Sequence, residues 1–151
     1  MAATYGITFD CADPDLLGRF WAEALGYRPK PPPDGHATWF EHWRAIGVPE
    51  EELGDGDISE YDVLEDPDGK GPRIWFQPVP EGKTVKNRVH LDINASGGRE
   101  FPLDVRRERV RAEADRLIGL GATMLRELSE PGVDHYGMVF ADPEGNEFCV
   151  N

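Results

Sequence analysis

One arrangement occurs twice along this chain of 151 residues, and that repetition restricts its fold more than any other feature. Ile7-Thr8-Phe9-Asp10 is answered by Val89-His90-Leu91-Asp92. A stretch with helical spacing of apolar residues follows each, and glycine ends it. Each half then closes on an Asp-Pro-acid-Gly turn, residues 66–69 and 142–145, and a short apolar run. Read by element, this is a strand, a helix and three strands, then the same series again. The expected fold class is α+β: two βαβββ modules in one chain, with a curled mixed β-sheet forming a cleft and helices outside. We expect one domain over 1–151, with the first module ending near residue 82 and the second starting near 83.

The local signals support that order. Ile7 and Phe9 alternate with Thr8 and Asp10, the period of a strand. Asp13 is placed to cap a helix and Pro14 suits its first turn. Leu16, Leu17, Phe20, Trp21, Ala24 and Leu25 then form one stripe, with Gly26 as the stop. Burying each large member is worth about 1.5–3 kcal/mol, so this helix must cover a sheet. Tyr27 to Pro33 starts extended and breaks at three prolines. His36 to Trp43 is aromatic-rich and reads as a strand. Glu50 to Leu53 reads as a single helical turn, and Tyr61–Glu65 and Arg73–Gln77 as strands. In the second half Arg88–Ile93 reads as a strand. Asp104 is placed to cap a helix carrying Val110, Ala114, Leu117 and Ile118. Ala122–Leu128, Tyr136–Ala141 and Glu147–Val150 complete the set.

Composition excludes several classes. No run of 18 apolar residues exists to cross a membrane. The N-terminus lacks a basic region followed by an apolar stretch, so no secretory signal is expected. A net charge of −13 repels phosphate backbones and argues against nucleic acid as partner. The acid is concentrated: residues 49–68 hold ten Asp or Glu and no Lys or Arg, which reads as a solvated loop. Only Cys11 and Cys149 are present, too few for a disulfide framework, so a reducing cytoplasm is the expected location.

The segments DCADPDLLGRFWAEALGY, DPDGKGPRIWFQPVPEGKTVKNRVHLDI and DPEGNEFCV carry a family likeness. With the second helix they span nearly the whole chain. The sequence resembles the vicinal oxygen chelate superfamily of glyoxalase I, bleomycin-resistance proteins and extradiol dioxygenases, and within it the small bacterial glyoxalase-like proteins. The resemblance implies a small-molecule ligand and a homodimer. It also implies a divalent metal held by His, Gln or Glu side chains from the first and last strands of each module.

Carried over by position, that ligand set is half present. His90 and Glu147 stand at the second module's two positions. In the first module Thr8, or Gly6 if the register slips by two, stands opposite His90. Aligning the two turns puts Arg73 opposite Glu147, Trp75 opposite Cys149 and Gln77 opposite Asn151; a register one residue longer puts Ile74 at Glu147. An arginine beside the site would repel a cation. Tight metal binding is therefore not expected, although weak binding of a divalent metal by His90 and Glu147 stays open. His90 hydrogen-bonded to Asp92 within the sheet is the plain structural alternative.

Without metal, Glu147 in a partly apolar cleft would have a raised pKa and act as general acid or base, with His90 as proton partner. Arg73 would clamp a carboxylate or polarised carbonyl, and Trp75 would stack on a flat substrate. Gln77, Thr8 and His135 complete the candidate substrate-binding residues. An Arg73–Glu147 salt bridge is the alternative for that pair. His36, His42, Trp39 and Trp43 are weaker candidates, the tryptophans reading more readily as core. Lys83, Lys86 and Arg88 form a small basic stretch. Asp66, Asp68 and Lys70 read as a plain turn.

Two functions follow. One is a lyase, isomerase or hydrolase acting on a carbonyl or carboxylate compound through Glu147; the missing ligands argue against glutathione-dependent glyoxalase I. The other is a non-catalytic binding protein of the bleomycin-resistance type, sequestering a flat or cationic small molecule.

Overall fold

A computed structural model describes residues 3–53 and 59–151. Residues 54–58, in the middle of the acidic stretch, lie outside the described residues. The chain divides into two compact units, one ending at Gly82 and one running from Lys83 to Asn151. Each contains a four-stranded mixed sheet, and neither sheet is closed.

The first unit runs β1 (Gly6–Cys11), α1 (Pro14–Leu25), β2 (Arg28–Pro29), α2 (Trp39–Ala45), a 3-10 turn over Glu50–Glu52, β3 (Val63–Glu65) and β4 (Arg73–Pro78). Its sheet order is β1-β4-β3-β2, with β1 parallel to β4. Asp13 caps α1 by accepting the Leu16 N–H at 3.0 Å, Pro14 opens the helix, and Gly26 closes it in the left-handed region at φ 67°. Leu17, Phe20, Trp21 and Ala24 bury themselves against Val63, Leu64, Ile74 and Phe76, and α1 lies on β3 and β4. Phe9 joins this core, 5.3 Å from Trp21 and 5.5 Å from Phe76.

The second unit runs β5 (Asp92–Ile93), α3 (Leu103–Gly119), β6 (Thr123–Leu128), β7 (Gly137–Ala141) and β8 (Glu147–Val150), in sheet order β5-β8-β7-β6. Val110, Ala114 and Leu117 on α3 pack with Phe140, Phe148 and Val150. Both Asp-Pro turns use one device. The Asp66 carboxylate accepts the N–H groups of Asp68, Lys70 and Gly71, and the Asp142 carboxylate accepts those of Glu144 and Asn146. Asp66 is thereby occupied, as expected of a turn.

Four expectations need correction. Residues 36–43 are not a strand: α2 begins at Trp39, with Thr38 as its cap accepting the Glu41 N–H at 3.2 Å. Glu41, three residues on as in a capping-box sequence, accepts the N–H of Ala37, one residue before the cap. The strand expected over Arg88–Ile93 shortens to Asp92–Ile93, so His90 precedes the paired region. Asp104 does not cap α3; Pro102 holds that position and Asp104 lies in the first turn, accepting the Val105 N–H. Ile118 turns outward, 49% exposed, because Val110, Ala114 and Leu117 already fill the stripe.

Candidate functional site

In the first unit, strand alternation settles which side chains share a face. Ile74 and Phe76 of β4 are buried on the side that α1 covers, so Arg73, Trp75 and Gln77 take the opposite, open face. The parallel partner β1 aligns Gly6 with Arg73, Thr8 with Trp75 and Asp10 with Gln77. Thr8, Arg73, Trp75 and Gln77 therefore form one patch, with Ile74 excluded from it. Gly6 contributes by absence: its missing side chain leaves the Arg73 guanidinium lying over it, Nε 3.8 Å from where a Cβ would stand. Arg73 has no ion pair among the described residues.

The aromatic segment adds to this face. Trp43 meets Trp75 with the rings tilted by 34° and centroids 5.7 Å apart, and Trp39 stacks on Trp43 at 5.2 Å. Trp39 is core: it is buried and its Nε1–H donates to the Lys30 carbonyl at 2.7 Å. Trp43 and Trp75 remain half-buried. His42 packs on both Trp39 and Trp43 and meets His36 edge-on at 5.2 Å. A cavity of about 300 Å³ opens beside Trp39, lined also by Lys30, Pro31, Thr38 and Glu60. Sequence reading missed Asp10 at Gln77's side, and it undervalued Trp43, whose helix it took for a strand.

In the second unit, β5 and β8 run parallel with Asp92 opposite Cys149. Phe148 and Val150 are buried, while Glu147 and Cys149 take the other face. The Glu147 Oε2 accepts the Asn87 N–H at 3.0 Å and pairs with the Lys83 ammonium at 3.1 Å. The Asn87 hydrogen bond, with Lys83 adding to it, holds the Glu147 carboxyl down at about 2. This reverses the raised value expected of a partly apolar cleft. His90 Nδ1 stands 3.2 Å from Asp92 Oδ1, the hydrogen bond foreseen as its structural alternative. His135 lines a different cavity, of about 560 Å³, with Asn94, Arg99, Tyr136 and Asn151.

The strand registers tie the two ends of the internal alignment together. If Thr8 is the counterpart of His90, then Asp10 matches Asp92. Gln77, paired with Asp10, then matches Cys149, and Trp75 rather than Arg73 matches Glu147. Arg73 takes that place only if Gly6 is the counterpart of His90. No carboxylate or imidazole enters from β4 in either case.

Two units of strand, helix and three strands define the paired βαβββ architecture of the vicinal oxygen chelate superfamily. Residues 6–151 match the glyoxalase-like domain family, and the chain belongs to it. Solved structures share the fold at low identity. One is a glyoxalase/bleomycin resistance protein/dioxygenase family enzyme from Burkholderia phytofirmans, 16% identical, covering 97% of this chain and 94% of that one, TM-score 0.57. A glyoxalase-related enzyme from Fulvimarina pelagi is 15% identical, over 99% of this chain and 87% of that one, TM-score 0.55. The fosfomycin resistance protein FosX from Listeria monocytogenes, complexed with Mn(II) and 1S,2S-dihydroxypropylphosphonic acid, is 12% identical over 100% of this chain and 90% of that one, TM-score 0.58. No curated protein matches the chain in sequence.

The residues here do not fit a metal held by His90 and Glu147. One oxygen of the Glu147 carboxylate, Oε2, already takes both the Lys83 ammonium and the Asn87 N–H. A divalent ion there would displace Lys83 or lie against a like charge. Among the described residues, the metal-competent cluster is His90, Asp92 and Cys149, without Glu147.

Proposed function

We propose that this protein binds a flat aromatic carboxylate on the open face of its first sheet, and that binding rather than turnover is its main activity. The observation that carries this reading is the Arg73–Trp75–Gln77 row beside Thr8, with the Trp43 ring tilted against Trp75. Side chains two apart on a strand stand about 6.6–7 Å apart along it. An aromatic ring over Trp75 thus places a ring-borne carboxylate within reach of Arg73. Guanidinium binds carboxylate through two parallel N–H donors, which fixes orientation as well as charge. Thr8 and Gln77 supply neutral hydrogen-bonding groups at the rim.

A catalytic reading has one observation in its favour: Glu147 is ionised at neutral pH. A carboxylate held near 2 is, however, a weak proton acceptor, since general-base efficiency falls as basicity falls. That ranks sequestration ahead of lyase, isomerase or hydrolase chemistry.

The test is a tryptophan-fluorescence titration with matched planar aromatics, one bearing a carboxylate and one an amine. The carboxylate should bind more tightly, and Arg73→Gln should remove at least about tenfold of that preference, since the charge-assisted pair of hydrogen bonds is lost. Trp75→Leu should weaken both compounds. Tighter binding of the amine, or indifference to Arg73→Gln, would overturn the assignment. Turnover abolished by Glu147→Gln would restore the catalytic reading.

A further inference from the structure

We propose that His90, Asp92 and Cys149 form a binding site for a thiophilic divalent cation, such as Zn²⁺ or Co²⁺, one strand step beyond the family's His–Glu pair. This is independent of the ligand reading for the first unit.

One donor atom from each of the three residues lies within 4.8 Å of the other two. Tetrahedral ligation at about 2.0–2.3 Å sets donors about 3.3–3.8 Å apart. His90 Nδ1 and Asp92 Oδ1 already stand 3.2 Å apart, and no pair of donors exceeds 4.8 Å, so closing the set needs a contraction of at most about an ångström. The backbone restricts two of the three. Asp92 and Cys149 are register partners on parallel strands, and the Cys149 N–H donates to the Leu91 carbonyl at 2.9 Å.

The donor chemistry selects the ion. Imidazole, carboxylate and thiolate together suit zinc or cobalt better than magnesium or calcium, which demand oxygen. A thiolate and a carboxylate bring two negative charges, which balance a divalent ion. Lys86 and Arg126 lie in electrostatic range of Cys149, and their positive charge tempers affinity. His90 and Asp92 are exposed, so a fourth position stays open to water or a ligand; Cys149 is half-buried, and burial together with the neighbouring Asp92 pushes its thiol up, so forming the thiolate lowers the affinity. Glu147, held by Lys83 and Asn87, stays outside this set.

Titration of the full-length reduced protein with Co²⁺ tests the site, read by the thiolate-to-cobalt charge-transfer absorption in the ultraviolet. The band is expected in the wild type, in Cys11→Ser and in Glu147→Gln, and absent in Cys149→Ser. Loss of a mere second-shell partner costs about 10–100-fold in affinity, so Asp92→Asn should weaken Co²⁺ at least tenfold. Zn²⁺ should bleach the band by competition. Absence of any sulfur–cobalt band overturns the proposal. So does Co²⁺ binding that survives both Cys149→Ser and Asp92→Asn but is lost in Glu147→Gln, which would return the metal to the family's pair. Circular-dichroism melts of the two variants identify any that fail to fold, and Asp92→Asn then decides if Cys149→Ser does not.

Discussion

At Glu147 the backbone N–H of Asn87 and the ammonium of Lys83 both point at one carboxylate oxygen. From sequence this residue was expected to have a raised pKa, on the strength of a partly apolar cleft alone. Its partners lie some 60 residues away along the chain, beyond the reach of local pattern. The sign of the linkage is definite. A carboxyl whose folded pKa is depressed adds stability above its unfolded pKa and loses it as pH falls through the folded value. For Glu147 that window runs from the ordinary glutamate range down to about 2. Lys83→Met should raise the Glu147 pKa, but only part of the way, because the Asn87 N–H makes the larger contribution and remains. Carbon-detected NMR titration of the side-chain carboxyl measures this. An unchanged value would show that Lys83 does not engage Glu147 in solution. His90 was easier to read, since its partner Asp92 lies two residues along the same segment.

Among the elements, α1 was legible because every signal for it is local: a capping Asp13, Pro14 in the first turn, a regular apolar stripe and Gly26. Gly18, in the middle of that helix, has a less visible role. A Cβ there would stand 2.5 Å from the Tyr61 carbonyl oxygen and 2.7 Å from the Tyr61 Cβ. The helix can approach the segment before β3 only because that position has no side chain. Gly18→Ala should therefore destabilise the protein by about 1–3 kcal/mol, despite alanine's better helix propensity. Urea unfolding measures it, and a stabilised variant would mean that the helix does not pack so closely. By contrast, α2 was misread. Two tryptophans, a phenylalanine and two histidines among residues 36–43 suggested a strand, whereas Thr38 and Glu41 carried the capping-box signal of a helix. That error hid Trp43's place beside Trp75. Likewise β5 came out shorter than its alternating pattern suggested, since pairing with β8 begins only at Asp92.

For the molecule as a whole, the duplicated order of elements was readable because turn chemistry recurs in both halves, as Asp66 and Asp142 illustrate. The site was less readable. Which side chains share the open face depends on the β1–β4 register, and that register shows Thr8 beside Trp75. A net charge of −13 sets a condition on ligand choice. At low salt it opposes an anionic compound. Near physiological ionic strength, screening over about 8 Å leaves the local guanidinium to decide. The most direct measurement is a crystal structure with the tightest-binding planar aromatic carboxylate, grown near physiological salt. The ring is predicted to lie against Trp75, with its carboxylate on the Arg73 guanidinium. A ligand seated instead on Lys83 and Glu147, with Trp75 and Arg73 untouched, would contradict the account.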